Sequence, residues 1–266
     1  MNKNDELLKA LSQLKSDESK AYFTFALLQN GVLKLSRPEI LKHCYTFCKA
    51  NKHLDAARFA KLAGDDNLAS SCYEDAINNL EKIGSLTLAA DIAKEAGMLE
   101  RAMTNHAKAG NTLEAGRIAE ESNNLEKASQ LYETAGQVFD AFRTARDTKQ
   151  HERAANIWDK AGKPEQGAIH AKKYGLFELA DRLYKKAISR LADAQNPTVE
   201  DYNDAAFIAK EAGWNEQAFE FYERAIRAAG SKDERKRMFN QAIRLCEETS
   251  QPQRAEAYKM MQKLLG

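Results

Sequence analysis

The chain of 266 residues holds only four prolines. Helices can therefore run with little interruption, and a loop-rich build is excluded. Its four cysteines, Cys44, Cys48, Cys72 and Cys246, lack the spacing of a disulfide framework, which points to a reducing cytoplasm. No stretch approaches the roughly 18–20 apolar residues that span a bilayer. The opening MNKNDELLKALSQLKSDESK has no apolar block of the signal-peptide kind. Charge of one sign is also missing: Lys+Arg 40 stands against Asp+Glu 39, a formal net charge of +1. That argues against a general nucleic-acid binder, which is clearly basic. Catalytic motifs are absent too. GNTLEAGR has the wrong spacing for a phosphate loop, and HERAA and HAKKY lack the second histidine of a zinc-protease helix.

What is present is a repeat. Cutting every 13 residues from Gly84 gives blocks that begin at Gly84, Gly97, Gly110, Asn123, Gly136, Lys149, Gly162 and Gly175. Gly and Asn tolerate the left-handed conformation that ends a helix. Each block is thus one helix of about ten residues and a tight turn. Position 6 reads Ala89, Ala102, Ala115, Ala128, Ala141, Ala154, Gly167 and Ala180. Position 10 alternates small and large: Ala93, His106, Ala119, Tyr132, Ala145, Trp158, Ala171, Tyr184. The true unit is therefore a pair of helices, A with a small residue at position 10 and B with a large one. Positions 6, 10 and 13 share one helix face, so the small residues admit a second backbone and the aromatic fills the wedge between pairs.

The alternation extends to A blocks at Asn51 and Glu200 and to B blocks at Gly64 and Gly213, with residues 38–50 as a further B helix. The B helices from Gly64, Gly175 and Gly213 run on to turns near Gly84, Asn196-Pro197 and Gly230. Residues 4–15 and 19–30 predict two N-terminal helices. Residues 237–249 and 250–265 predict a final pair, with Pro252 in a first turn. One hairpin cannot bury its apolar face, but a stack can. The expected fold is all-α: a right-handed α-solenoid of about seven antiparallel hairpins. Its segments are N-terminal capping helices 1–50, repeats 51–230 and a C-terminal capping hairpin 231–266, all in one continuous solenoid. Between 144 and 170 the pattern decays: Thr144 and His170 replace Ile, Thr148 replaces Ala, Lys149 replaces Gly and Gly167 replaces Ala. A helical glycine costs about 1 kcal/mol relative to Ala, so this stretch is expected to be soft.

The B signature Ala-x3-Tyr/Trp-x2-Ala stands here as ASSCYEDA, ASQLYETA, AANIWDKA, ADRLYKKA and AFEFYERA. It resembles the second helix of tetratricopeptide repeats. Over about residues 38–265 the chain also resembles the solenoids of vesicle-coat and intraflagellar-transport subunits and, more loosely, the soluble NSF attachment proteins. It departs from true tetratricopeptide repeats in its shorter unit and its missing closing proline. The resemblance implies a non-catalytic, cytoplasmic protein–protein scaffold or adaptor with a concave face lined by A helices, of the kind found in trafficking and transport assemblies.

Candidate sites follow from the register. His43, Cys44, Cys48 and His53 form a metal-like cluster, but its cysteines lack the close spacing of zinc ligands, so they are read as packed thiols, and no metal or other cofactor is expected. His106 and His170 stand at core positions and are expected to be packed and hydrogen-bonded. Glu100, Glu126, Glu152, Glu178 and Glu216 recur at position 4 of B helices, where a first-turn acid suits the helix dipole. Position 11 of the A helices is mostly basic (Lys61, Lys94, Arg146, Lys172 and Lys210, with Glu120 the exception), and Arg58, Arg117 and Arg143 stand one turn earlier. Position 11 of the B helices is mainly acidic, as at Glu74, Glu133, Asp159 and Glu223. These eight cations are the expected partner-binding residues, facing an acidic or helical protein segment. Two alternatives remain, a helical-repeat RNA binder and an enzyme on a helical scaffold. The first needs exposed stacking aromatics, whereas the repeated ones lie among alanines.

Overall fold

The computed structural model describes residues 3–14 and 16–265. Residues 1, 2 and 266 of the expected capping segments, and residue 15 of the first expected helix, lie outside the described residues. Every element described is helical. The order is α1 (Lys3–Ser12), α2 (Asp17–Gln29), α3 (Arg37–Lys49), α4 (His53–Leu62), α5 (Asp66–Lys82), α6 (Leu86–Glu95), α7 (Leu99–Lys108), α8 (Thr112–Glu121) and α9 (Leu125–Thr134). It continues with α10 (Val138–Asp147), α11 (His151–Lys160), α12 (Pro164–Lys173), α13 (Phe177–Ala192), α14 (Val199–Ala212), α15 (Asn215–Ala228), α16 (Lys232–Glu248) and α17 (Pro252–Leu265). The chain divides into two compact units, Met1–Leu131 and Tyr132–Gly266, and the division falls within α9. Each unit is a stack of antiparallel hairpins, so the fold is an all-α helical repeat. In the first unit α4, α6 and α8 are A helices and α3, α5 and α7 are B helices. In the second, α10, α12, α14 and α16 are A helices and α11, α13, α15 and α17 are B helices.

Turn chemistry sets the period. The backbone is left-handed at Gly84, Gly97, Gly110, Asn123, Gly136, Lys149, Gly162 and Gly175, and also at Asn51, Gly64 and Gly213. At Gly97 the next amide, Met98 N–H, reaches back to Ala93 C=O at 2.8 Å. The same bond recurs one period later, from Asn111 N–H to His106 C=O at 2.9 Å. It satisfies a carbonyl that the helix end leaves orphaned. Lys149 adopts φ 60° despite its Cβ, a conformation costly for an ordinary L-residue.

Three boundaries depart from the period. α14 opens on a capping box, in which Thr198 accepts from Asp201 N–H and Asp201 accepts from Thr198 N–H at 2.8 Å. α16 begins at Lys232, five residues before the predicted 237, because Ser231 and Glu234 form the same device. Gly230 is not left-handed; its amide donates to Glu234 at 3.0 Å. α1 ends at Ser12, short of the predicted 15. The longer B helices run as expected, α5 to Lys82, α13 to Ala192 and α15 to Ala228.

The packing follows the small-residue face. Ala89, Ala102, Ala115, Ala128, Ala141 and Ala154 are fully buried. Tyr73, Tyr132, Tyr184 and Tyr222 are buried at position 10 of their B helices. Trp158, at the same position, is only half-buried. Tyr73 also donates to Glu95 at 2.9 Å, tying α5 to α6. Gly167 is the extreme of this packing: a Cβ there would lie 2.5 Å from Ala155 C=O and 3.1 Å from Leu183 Cδ1. It lets α12 approach α11 closely, so its presence is not a defect of the pattern.

Candidate functional site

The eight predicted cations are mostly engaged with acids. In the first unit Arg58 forks onto Glu95 at 2.8 and 2.7 Å, bridging α4 to α6. Those bonds hold the Glu95 carboxyl below its ordinary range, with the Tyr73 hydroxyl and the Lys61 charge adding to the effect. Lys94 contacts Glu114 and Glu121 of α8, each at 3.2 Å. Arg117 sits 3.4 Å from Glu114. In the second unit Arg143 lies 3.3 Å from Asp140, and Arg146 lies 2.9 Å from its neighbour Asp147. Lys172 donates to Glu211 C=O, and Lys210 pairs with Glu248 of α16. The A-helix face of the first unit is therefore a lattice of ion pairs and not a one-signed ladder.

The B layer is the mirror case. Glu133 is held by Lys160, and Asp159 by Lys186 at 2.7 Å. Lys94–Glu121, Glu133–Lys160 and Asp159–Lys186 are each separated by 27 residues, one helix pair plus one. Position 11 of one helix thus meets position 12 of the next equivalent helix. Acid follows base in the A layer, and base follows acid in the B layer. Of the acidic B positions, Glu133 and Asp159 are one half of these pairs.

The A rule does not hold at every step: Glu120, the acidic exception at position 11, has Asp147 twenty-seven residues on, a like charge. Twenty-seven residues after Arg146 stands Lys173, a like charge. Arg143 and Arg146 pair with Asp140 and Asp147 of their own segment, and Arg146 and Lys173 both bear on His170 from α10 and α12. Position 8 changes character as well. Where earlier A helices carry Arg58, Arg117 and Arg143, α12 and α14 carry Ile169, 41% exposed, and Phe207, 52% exposed. Each stands one turn before a cation, Lys172 or Lys210. The reading of position 8 from its arginines passed over this pair, although a switch from Arg to Ile and Phe in a fixed register is a visible signal. The three helices adjoin through Phe142 of α10, whose ring lies 5.0 Å from His170 of α12, and through the Lys172 bond to α14.

Neither core histidine is hydrogen-bonded, contrary to expectation. His170 is buried edge-on to Phe142, with Tyr174 at 4.7 Å and His151 at 5.5 Å, and its Nε2 finds no partner. Desolvation, with the charges of His151, Lys173 and Arg146 adding, pushes it down to about 4. His106 is equally buried; both its ring nitrogens lack hydrogen bonds, and Asp91 lies 3.5 Å away. In both cases an aromatic or aliphatic slot of the repeat is filled by an imidazole, and at His170 burial favours the neutral form.

The four-residue metal cluster is redrawn. His43 stacks on Phe59 at 5.4 Å, and His53 lies 3.7 Å from Asp75. Cys44 and Cys48 are joined instead by Cys72 of α5, the three sulfurs lying within 4.8 Å of one another. Two further findings bear on the competing readings. The B-helix tyrosines are buried, which leaves no stacking platform at those positions. Among the described residues no helix is long and apolar enough to cross a membrane.

No protein-family model matches the chain, and no curated protein does. Among solved structures it is similar to a tetratricopeptide repeat protein from Parabacteroides merdae, at 16% identity over 86% of this chain and 93% of that one, with a TM-score of 0.28. It is similar to BtubC from P. vanneervenii at 15% identity, covering 87% and 91%, with a TM-score of 0.28. It is also similar to the apo form of the quorum sensor NprR from B. thuringiensis at 12% identity, covering 98% and 91%, with a TM-score of 0.23. At these TM-scores the likenesses carry no argument about the fold or about what the chain binds.

Proposed function

We propose that the chain is a non-catalytic interaction scaffold whose second unit holds an acidic, partly apolar protein segment on the face formed by α10, α12 and α14. One observation carries this reading. Ile169 and Phe207 stand exposed one turn before Lys172 and Lys210, next to the step where Arg146, paired with its own neighbour Asp147, has the like-charged Lys173 twenty-seven residues on. Large apolar groups left in water beside cations suit a ligand that buries the former and neutralises the latter. Of the eight predicted residues, Arg143, Arg146, Lys172 and Lys210 belong to this face. Arg58, Lys94 and Arg117 belong to the lattice of the first unit, with the Lys61 charge bearing on Glu95, and act mainly within the stack. The free thiols suit a cytoplasmic setting, and the resemblance to coat and intraflagellar-transport subunits suggests a trafficking or transport assembly.

The test selects ligands from a random peptide library on the immobilised protein and maps them with variants. Enriched peptides should combine acidic and large apolar residues. Phe207→Ser and Lys172→Glu should each weaken them at least five-fold, and rising salt should weaken them further. Phe177, 66% exposed on α13, is the control: Phe177→Ser should leave binding intact. Loss of binding in the Phe177 variant with full binding in the other two would place the ligand elsewhere and end this reading.

A further inference from the structure

The first unit holds a group of side chains that the scaffold reading leaves unused. Cys44 and Cys48 sit one turn apart on α3, and Cys72 comes from α5, the next B helix. The Cys48 and Cys72 sulfurs are 3.4 Å apart, and all three lie within 4.8 Å of one another. Cys44 and Cys72 are buried and Cys48 is half-buried, so the group has one side open for entry. Three thiols from two helices, with no carboxylate or imidazole completing the set among the described residues, are more than packing requires of small apolar side chains.

We propose that Cys44, Cys48 and Cys72 form a three-sulfur site for a soft metal ion, monovalent copper. The donor set decides the class of ion. All-sulfur ligation selects soft cations over calcium, magnesium or manganese. A structural zinc site would need four ligands, and only three side chains converge here. A three-coordinate ion at a thiolate distance of about 2.3 Å holds its sulfurs about 4 Å apart. One separation is 3.4 Å and none exceeds 4.8 Å, so closing the site needs shifts of less than about 1 Å, within reach of small χ1 adjustments. Each sulfur that ligates gives its proton to solvent, and copper stays monovalent, so no oxidant or reductant is consumed. Bound metal would clamp α3 to α5 and stabilise the native state by mass action.

The probe is copper(I) added anaerobically to the fully reduced chain in competition with a chromogenic copper(I) chelator. The expected result is one equivalent withheld from the chelator, with X-ray absorption showing sulfur neighbours only. Cys72→Ser and, separately, the half-buried Cys48→Ser should each weaken retention at least 100-fold while circular dichroism remains that of the parent. Cys246→Ser, at a buried thiol on α16, should retain copper unchanged. Three outcomes would overturn the proposal: the chelator strips all copper from the parent chain, both serine variants retain it, or the site takes zinc with a fourth ligand and leaves copper to the chelator.

Discussion

Replacing Gly167 with Ala sets sequence logic against structure. Gly167 lies inside α12, at the position where the equivalent helices carry Ala. Helix propensity alone awards Ala about 1 kcal/mol. Against this, the new Cβ would stand 2.5 Å from Ala155 C=O. Ordinary contact begins near 3.4 Å, so about 0.9 Å must be found. The obstructing atom belongs to the backbone of α11 and cannot rotate away. Leu183 Cδ1, at 3.1 Å, can turn, but only within a core where Leu183 is 1% exposed. Relief therefore requires α11 and α12 to separate, and overpacking of that kind costs about 1–3 kcal/mol. The net expectation is destabilisation of about 0–2 kcal/mol, a fall in Tm of up to several degrees for a chain of this size. The reverse exchange, Ala115→Gly in α8, is the companion. It should lose about 1 kcal/mol of propensity and some buried surface. The assay is thermal and denaturant unfolding of both variants beside the parent. A rise in Tm for Gly167→Ala would show that the helices do not approach this closely and that Gly167 is the soft point the sequence suggested.

Three further substitutions probe other parts of the fold. Lys149→Gly relieves an L-residue held at φ 60° and should stabilise by about 0.5–1 kcal/mol in denaturant unfolding, the strain removed exceeding the added chain entropy; a loss of stability would refute the cap. Ala154→Leu, at a fully buried position, should cost about 1–3 kcal/mol, and parental melting would mean the 13-residue register is wrong. His170 has a folded value of about 4 against an ordinary 6.5, so the fold holds its neutral form. The stability it contributes is complete above about pH 6.5 and is lost as pH falls toward 4, roughly 3 kcal/mol at most. His170→Ile, restoring the residue found at Ile92, Ile118 and Ile208, should flatten that slope in unfolding measured between pH 4 and 7; an unchanged slope would show that His170 is not its source.

What was legible in the sequence was local. A left-handed cap depends on one residue and its neighbours, so Gly97, Asn123 and even Lys149 could be placed by counting. The buried alanines and tyrosines followed, because a fixed period fixes the face. The start of α16 escaped because it is set by the Ser231–Glu234 capping box, a signal outside the 13-residue count though written plainly as Ser-x-x-Glu. Cys72 escaped for another reason. Its sulfur reaches Cys48 because α3 and α5 are neighbours in the B layer, and a search for ligands close in sequence misses a partner one helix pair away. Gly167 was misread because propensity describes an isolated helix, whereas its constraint comes from the carbonyl of another.

The charges show how the same register separates structure from site. An exposed ion pair contributes about 0–1 kcal/mol, so no single pair along the stack is indispensable. Their value lies in repetition. A base at position 11 of one A helix and an acid at position 12 of the next favour one register of stacking over a slip by a helix turn, which would bring like charges together. That device acts only where both members are present, as at Lys94 and Glu121, and Glu120 followed by Asp147 lacks it. At α10 and α12 it has Arg146 facing the place of Lys173, and nothing in the repeat makes that pairing favourable. The stack tolerates it because Phe142, His170 and the surrounding alanines already fix these helices by packing. A like-charged step beside exposed Ile169 and Phe207 is thus a cost the fold does not need for its own stability, and an acidic ligand carrying an apolar side chain would remove both parts of it at once.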